Sequence, residues 1–283
     1  MGLNPDKILH LIDWALKEDL GENLEDITTD NLSADIDQTA VLINKEPLVV
    51  AGIKIVEYVY KRIDDRVEIR YMVEDGEYIK NKKTLVEIKG RASSLLKGER
   101  IALNFFQRMC GIATKTRDLV KHLNNKNIKI ADTRKTVPGY RYIDKYSVRM
   151  GGGINHRLNL NDMVMIKDNH KSIEGGLKKA YKKIKNSVPL SKKIDVEVET
   201  IYEAEEAAKL GADIIMLDNM TNEQIKKSAK IIRGINENII IEVSGGIDRN
   251  RLRGLTDLDI DVISMGALTH SVSASDISMK ISN

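Results

Sequence analysis

The residues with the clearest chemical potential are basic and lie in one stretch of the chain, from Arg134 to Lys167. The planar guanidinium of arginine matches a carboxylate or a phosphate at two points, whereas lysine supplies a compact point charge. Several cations in one cleft repel one another and therefore need an anionic ligand, although each residue alone could equally pair with a local acidic side chain. The sequence predicts an anion site with the candidate residues Arg134, Lys135, His156, Arg157 and Lys167.

Three acidic residues follow farther along the chain. Glu197 and Glu199 lie on one face of a predicted strand, and Asp218 ends the next strand. Carboxylates at such places bind Mg²⁺, accept hydrogen bonds from ribose hydroxyls or neutralise nearby cations, and the sequence leaves these roles open. A glycosidase also uses paired carboxylates, but the excess of cations around these residues argues against that chemistry.

Two short glycine motifs follow the last two predicted strands, at Ser244-Gly245-Gly246 and from Gly266 to His270. In parallel-stranded barrels this is the usual place for a phosphate held by backbone N–H groups, so the two motifs indicate a phosphorylated ligand. The glycines at 151–153 do not form a dinucleotide fingerprint, because His156 stands where the last glycine belongs and a predicted helix precedes them. They are more typical of a tight backbone turn.

Alternating β-prone and helical segments predict the elements that position these residues. The predicted strands are 128–131, 163–166, 194–198, 213–217, 239–243 and 260–264, and the predicted helices are 140–150, 173–185, 202–210, 222–233 and 249–255. Such alternation means a parallel sheet, either doubly wound or closed as a barrel. Polar or glycine clusters follow nearly every strand, and only a barrel gathers all such loops around one site. The pattern therefore favours the barrel.

The first third of the chain has a different pattern, typical of mixed α and β structure. It predicts strands at 41–43 and 67–73, a helix at 53–63 between them, and a further strand at 78–88. A long helix is predicted from about residue 94 to residue 123. This part is therefore expected to form a separate layer of structure before the alternating region begins.

Composition narrows the classes of protein that this chain can belong to. Its 283 residues are 42% hydrophobic and carry a net charge of +3, enough to bury a core but too little positive charge to indicate nucleic-acid binding. Cys110 is the only cysteine, which excludes an intrachain disulfide and fits a reducing compartment. No apolar run approaches the ~20 residues that span a bilayer. We therefore expect a cytoplasmic protein with neither a membrane nor a nucleic-acid partner.

Taken together, these motifs resemble the quinolinate phosphoribosyltransferase family along nearly the whole chain. The matching blocks are Glu18-Asp19, Ile27-Thr28-Thr29, Glu99-Arg100, Leu103-Asn104, Gly111-Ile-Ala-Thr114, Asp132-Thr-Arg-Lys-Thr-Val-Pro-Gly139, Lys145-Tyr146, Gly151-Gly-Gly-Ile-Asn-His-Arg157, Lys167-Asp-Asn-His170, Glu197-Val-Glu199, Leu217-Asp-Asn219, Glu242-Val-Ser-Gly-Gly-Ile247, Ile263-Ser264 and Thr269-His-Ser271. The chain departs from the family in a longer linker at 20–26 and in Met109-Cys110, where Leu-Ser is common. Neither departure touches a matched ligand residue.

The resemblance implies an α/β fold in two domains and a homodimer. An N-terminal α/β sandwich-like domain at 1–112 would precede an incomplete parallel α/β barrel at 113–283, whose last residues pack back on the first domain. The dicarboxylate of quinolinate would be bound by Arg134, His156, Arg157 and Lys167, with Arg100 reaching across the dimer interface to complete the partner's site. The phosphoribosyl pyrophosphate side would comprise Lys135, Glu197, Asp218, Asn219, Ser244, Gly245, Gly266 and His270, with Mg²⁺ on Glu197 and Asp218.

The implied activity joins quinolinate to phosphoribosyl pyrophosphate with loss of CO₂, and Lys135, Glu197 and Asp218 are its implied catalytic residues. A relative of the same architecture that acts on another pyridine or purine-like acceptor is one alternative, against which the intact segment 151–157 argues. A non-catalytic barrel that senses a phosphorylated ligand is another. Such a sensor would require neither the carboxylates Glu197 and Asp218 nor the full set of cations.

Overall fold

The computed structural model describes residues 2–32 and 36–282, which form two compact units. Residues up to 117, residues 136–152 and residues from 268 onward form the first unit, and residues 118–135 and 153–267 form the second. This division differs from the predicted single boundary after residue 112, because the segment 136–152 belongs to the first unit. The last residues of the chain also belong to the first unit.

Twelve strands and ten α-helices are present in the described ranges. In chain order they are α1 Leu9–Leu20, β1 Asp37–Asn44, β2 Leu48–Val49, α2 Ile53–Ile63, β3 Glu68–Tyr71, β4 Tyr78–Ile79, β5 Thr84–Arg91, α3 Ala92–Leu123, β6 Lys129–Ala131, α4 Arg141–Met150, β7 Val164–Ile166, α5 Asp168–Glu174, α6 Leu177–Lys185, β8 Ile194–Val198, α7 Ile201–Leu210, β9 Ile214–Asp218, α8 Asn222–Ile235, β10 Ile240–Ser244, α9 Arg249–Leu255, β11 Val262–Ser264, α10 Ala267–His270 and β12 Ile277–Ser282.

The first unit is built around an antiparallel sheet of four strands in the order β12-β1-β5-β3. Strand β12 comes from the end of the chain and pairs with β1 from Thr39 opposite Ser282 to Asn44 opposite Ile277. A hydrophobic core that includes Tyr60, Phe106 and Met109 packs this unit. The unit is therefore held together by residues from both ends of the chain.

The second unit is a parallel sheet of six strands in the order β6-β11-β10-β9-β8-β7. This order is cyclic, because the last strand of the series, β11, pairs with the first, β6. On its other side β6 has, in the part of the chain that the structure describes, only a single bridge between Ala131 and Ile154. The strands therefore curl into a barrel that stays open between β6 and β7, which confirms the predicted incomplete barrel.

Several predicted elements differ from the observed ones. The predicted helix 173–185 is interrupted, because Gly175 and Gly176 have φ angles of 73° and 122°, in the left-handed region that ends a helix. The predicted strand 78–88 is two strands, β4 and β5. The two-residue strand β2 and the strand β12 were not predicted from the sequence. In the described residues, no helix is both long and apolar enough to cross a membrane.

Candidate active site

A cavity of about 360 Å³ opens within the second unit. It is lined by Thr133, Arg134, Lys135, His156, Arg157, Met165, Lys167, Glu197, Met216, Asp218, Glu242, Ser244 and Ser264. The structure thus brings together eight of the predicted site residues: Arg134, Lys135, His156, Arg157, Lys167, Glu197, Asp218 and Ser244. The loops that follow the barrel strands do gather around one site.

The barrel strands position these residues through their period of two. Successive side chains of a strand point to opposite faces, so a residue two positions before a strand-end residue shares its face. In β8, Val196 and Val198 are fully buried on one face, while Asp195 and Glu197 lie on the other. The same spacing relates the lining residues Met216 to Asp218 and Glu242 to Ser244.

Positive charge on one side of the cavity is only partly neutralised within the chain. The Nε atom of Arg134 is buried and donates no hydrogen bond to any described residue. Arg157 donates through Nη1 to the Met163 carbonyl at 3.0 Å, and its pKa is lowered by burial and by the nearby charge of Arg134. Two neighbouring guanidinium groups, one with a buried donor to spare, are the arrangement that an anionic ligand stabilises.

Lys167 links the cations of the cavity to its carboxylates. Lys167 caps the N-terminus of α5 and its Nζ forms a close ion pair with Glu197 Oε2. Lys171, one turn later, donates to the carbonyl of Glu197 at 3.2 Å and to Glu203 Oε1 at 2.7 Å. The end of β8 is therefore held by two lysines of one helix, which fixes where the Glu197 side chain enters the cavity.

His156 lies against two buried carboxylates. Its Nε2 atom is 3.3 Å from Glu242 Oε2 and 3.5 Å from Asp195 Oδ2. Burial alone lowers the pKa of His156, yet the attraction of Asp195 and Glu242 raises it to about 9. The Nδ1 atom accepts the backbone N–H of Arg157 at 2.8 Å, which opposes a proton at that position. The protonated imidazolium and the neutral ring with its proton on Nε2 both carry an Nε2–H group. This group faces Asp195 and Glu242 and orients the ring.

Asp195 and Asp132 are buried in different ways. Asp132 accepts the His156 backbone N–H at 3.0 Å and the Asn155 amide at 2.5 Å, so it fixes the loop that carries the histidine. Asp195 is fully buried, and its oxygens accept no hydrogen bond from the residues that the structure describes. Burial, the largest cause, and the charge of Glu242 raise the pKa of Asp195. A buried acid with little compensation therefore lies against the lining residue His156.

Two sets of residues have the donor atoms for a metal ion. Glu197 and Asp218 line the cavity from adjacent strands, and their carboxylate oxygens suit Mg²⁺. His156, Asp195 and Glu242 also place one ligand atom each within 4.8 Å of one another. A metal on Nε2 requires the ring proton on Nδ1, where the Arg157 N–H already points, so this second set fits a proton better than a metal.

Two neighbouring loops directly follow the lining residues Asp218 and Ser244. Asn219 has a φ angle of 54°, donates its backbone N–H to the Ser244 carbonyl at 3.0 Å and donates its amide to Asp218 Oδ2 at 2.6 Å. Gly245 has a φ angle of 92°, and a Cβ atom there would lie 2.2 Å from Asn219 Oδ1. The predicted residues Asn219 and Gly245 are thus interlocked, and only glycine fits at 245.

The remaining predicted residues lie elsewhere. Gly266 follows β11, two residues after the lining residue Ser264. Arg100 is exposed on α3 and His270 is exposed at the end of α10, and both belong to the first unit. The described lining of the cavity includes neither of them.

Sequence reasoning assigned no role to several residues of this site, notably Asp195, Glu242 and Ser264. Each lies two positions before a residue that was singled out, namely Glu197, Ser244 and Gly266. Stepping back by two along each strand would have found them, because side chains two apart point to the same face. Polar residues inside an apolar strand were the overlooked signal.

Known proteins are similar to this chain in sequence and structure along nearly its whole length. The family models of the quinolinate phosphoribosyl transferase N-terminal and C-terminal domains match residues 26–110 and 112–280. A probable nicotinate-nucleotide pyrophosphorylase (carboxylating) of Bacillus subtilis is 38% identical over 99% of this chain and 95% of its own length. One of Methanocaldococcus jannaschii is 40% identical over 98% of each chain.

Solved structures agree with these sequence relatives. The structure of NadC from Streptococcus pyogenes has a TM-score of 0.94 and 40% identity, covering 100% of this chain and 99% of that one. The nicotinate-nucleotide pyrophosphorylase of Francisella tularensis has a TM-score of 0.91 and 36% identity, covering 99% and 98%. The chain therefore belongs to the quinolinate phosphoribosyltransferase family.

Proposed function

We propose that this protein is a decarboxylating quinolinate phosphoribosyltransferase of NAD biosynthesis. It would convert quinolinate and phosphoribosyl pyrophosphate into nicotinate mononucleotide, pyrophosphate and CO₂. The observation that carries the proposal is one cavity lined both by Arg134, whose buried Nε has no partner among the described residues, and by the carboxylates Glu197 and Asp218. A dianionic pyridine suits the first, and a sugar phosphate with its metal suits the second.

The pyridine dicarboxylate is assigned to the cationic side of the cavity. Arg134, Arg157 and Lys167 supply the positive charge that its two carboxylates require. His156 was expected to bind the substrate as well, but both of its ring nitrogens are directed at groups of the protein itself. We therefore assign His156 the role of a fixed lining residue of the substrate site, whose ring is oriented by Asp195, Glu242 and the Arg157 backbone N–H.

Phosphoribosyl pyrophosphate is assigned to the loops after β8, β9 and β10 and to residues nearby. Glu197 and Asp218 would hold Mg²⁺, which when bound neutralises the departing pyrophosphate. Carboxylates next to the anomeric carbon favour the positive charge that develops there, and Lys135 favours the negative charge of the leaving group. The contacts proposed for this substrate are Lys135, Glu197, Asp218, Asn219, Ser244, Gly245, Gly266 and His270.

Loss of CO₂ needs no further group from the protein. Once the ring nitrogen carries the ribosyl group, the bond to the 2-carboxylate breaks, CO₂ leaves, and the electron pair stays on ring carbon 2, where the adjacent positive nitrogen stabilises it. A proton from solvent then adds to this carbon and completes nicotinate mononucleotide. The protein contributes by placing the ring nitrogen against the sugar carbon, and the cations that fix both carboxylates do this. Arg134, with its buried donor, is the residue on which this placement depends most.

One assay tests the activity directly. Purified protein is incubated with carboxyl-labelled quinolinate, phosphoribosyl pyrophosphate and Mg²⁺, and labelled CO₂ is measured. Nicotinate replaces quinolinate as the control acceptor, because it lacks the 2-carboxylate. We expect release that requires all three components, and turnover of nicotinate with no turnover of quinolinate would contradict the proposal.

The protein is further proposed to act in the cytoplasm as a homodimer whose partner subunit supplies Arg100 to the site. Arg100 is exposed on α3, as such a role requires. Arg100→Ala and Lys167→Ala should each be inactive alone. Because a mixed dimer has one intact site, co-refolding the two variants should restore about a quarter of the activity. A mixture as inactive as its components would count against a shared site.

A further inference from the structure

One arginine ties together the two loops that follow β9 and β10. Arg251 lies on the first turn of α9 and donates through Nη1 to the Gly245 carbonyl at 2.5 Å. Its Nη2 donates to the Met220 carbonyl at 2.6 Å. The guanidinium therefore spans from one loop to the other, and both bonds are short and charge-assisted.

The helix itself holds this arginine in position. The side chain of Asp248 caps α9 by accepting the backbone N–H of Arg251 at 2.8 Å. The side chain of Arg251 is partly buried, whereas that of Arg253, two residues later, is exposed. Arg251 thus leaves the helix at a fixed point and directs its planar fork at two backbone oxygens.

The bond to Gly245 determines how the following peptide is oriented. In a trans peptide the C=O and the next N–H point in opposite directions, so drawing the Gly245 carbonyl toward Arg251 turns the Gly246 N–H away from it. The carbonyl oxygens of both loops are thereby engaged by a cation. An anion at these loops then meets fewer outward-facing oxygens and more N–H groups.

The two loops are also locked to each other. Asn219 donates its backbone N–H to the Ser244 carbonyl at 3.0 Å, and there is no room for a side chain at Gly245 beside Asn219. A movement of one loop therefore moves the other. Arg251 fixes both loops to α9 through one side chain.

We propose that Arg251 is a positioning residue for phosphoribosyl pyrophosphate, acting through the two loops that carry Asp218, Asn219, Ser244 and Gly245. It touches neither substrate and acts only by fixing these contacts. The proposal rests on the proposed function, because that function assigns the loops to this substrate. Loss of a residue that orients a binding group typically costs 10- to 100-fold in affinity or activity.

Steady-state kinetics of Arg251→Ala, Arg251→Lys and Arg253→Ala test it. We expect Arg251→Ala to raise KM for phosphoribosyl pyrophosphate about 10- to 100-fold and to change KM for quinolinate less than about twofold. Lysine keeps the charge but carries its donors on one nitrogen instead of a planar fork, so it should restore only part of the loss. The control Arg253→Ala should match the wild type in both KM values and in Tm.

Two outcomes would overturn the role. An unchanged KM for phosphoribosyl pyrophosphate in Arg251→Ala is one, and an equal rise of both KM values with a lowered Tm is the other, because that is a general structural defect. If Arg251→Ala does not fold, Arg251→Lys decides by the same criteria.

Binding of inorganic pyrophosphate with Mg²⁺, measured by calorimetry, separates this proposal from the proposed function. Weaker binding by the Arg251 variants supports the role even if quinolinate proves not to be the substrate. Equal binding by wild type and variants, or none by the wild type, refutes it.

Discussion

Two buried aspartates, one in each unit, have opposite environments. Asp64 in the first unit accepts two hydrogen bonds from the Arg66 side chain, at 2.9 and 3.1 Å, and one from Ser94 at 3.0 Å. These bonds, above all those from Arg66, hold the pKa of Asp64 well below its usual range. Asp195 in the second unit lies 3.5 Å from the Nε2 atom of His156, and burial together with the charge of Glu242 raises its pKa.

The Asp64–Arg66 ion pair stabilises the fold, whereas the Asp195–His156 pair belongs to the candidate active site. Asp64 is matched by donors from its own surroundings, so its charge is satisfied without a ligand. Asp195 costs the fold free energy, because its charge is buried without hydrogen-bond donors among the described residues. Groups with perturbed pKa values and incomplete partners concentrate at functional sites. The cations follow the same division, since Arg66 is paired with Asp64 while Arg134 keeps a buried donor unused.

The largest expected difference is between alanine variants of Arg134 and Arg66. Arg134→Ala should lower kcat/KM for quinolinate by about 10²- to 10³-fold, because removing one partner of a desolvated charge pair costs ~3–4 kcal/mol. Arg66→Ala should leave kcat/KM within about twofold, since Arg66 serves Asp64 alone. Kinetics and thermal unfolding of both variants check this. An unchanged kcat/KM in Arg134→Ala would remove the basis for assigning it to the substrate.

The aspartates themselves should show opposite losses. Asp64→Asn should lower the free energy of unfolding by about 1–2 kcal/mol without affecting catalysis, a modest value because Arg66 is 65% exposed. Asp195→Asn should leave stability unchanged or raised and lower kcat/KM about tenfold, since it loosens the His156 ring. Urea unfolding and steady-state kinetics measure both. The contrast between the two aspartates is wrong if Asp195→Asn is less stable than the wild type.

The pH dependence of stability should differ in sign between the two positions. Because the folded-state pKa of Asp64 is lowered, its contribution is present above the unfolded value of 3.8 and disappears as pH falls below it. The raised pKa of Asp195 means that the wild type loses stability relative to Asp195→Asn as pH rises above the unfolded value of 3.8. Unfolding across pH 3–8 for both pairs tests this. Parallel curves for the two pairs would be inconsistent with the opposite shifts.

A small effect is expected at Glu242. Glu242→Gln keeps one acceptor oxygen for the His156 Nε2–H group, and the Ser264 hydroxyl can accept from the new amide instead of donating, so kcat/KM should fall only a few-fold. Glu242→Leu removes both acceptors and should cost clearly more. Equal activity of the two variants would show that the carboxylate does not hold the histidine ring.

Much of the fold followed from local pattern. Helix 53–63, strand 194–198 and helix 249–255 have the predicted bounds, because each combines a clear hydrophobic period with a sharp end. The predicted helix 173–185 was wrong because its hydrophobic spacing continues across Gly175-Gly176. Hydrophobic spacing alone does not show that these two glycines have positive φ angles. Strand β12 could not be predicted, since its partner β1 is more than 200 residues away in the chain.

The site was predictable where chemistry sits at strand ends and not where it sits inside strands. Arg134, Lys167 and Asp218 stand out because polar residues directly follow apolar segments. Asp195 and Glu242 lie within such segments, and their burial depends on which face of the strand turns inward. Their interaction with His156 is a property of three distant strands and loops, so only the assembled barrel reveals it.

The cyclic strand order also sets an order of events during folding. Strands β7 to β10 pair with their neighbours in sequence, but β6 must wait for β11, which lies more than 120 residues later. Strand β1 must likewise wait for β12. The four-stranded and the six-stranded sheets are thus completed by residues 262–282, and contacts so distant in sequence form slowly. A ribosome-bound chain lacking this segment would present the unpaired edges of β1 and β6, which makes it a natural target for chaperones.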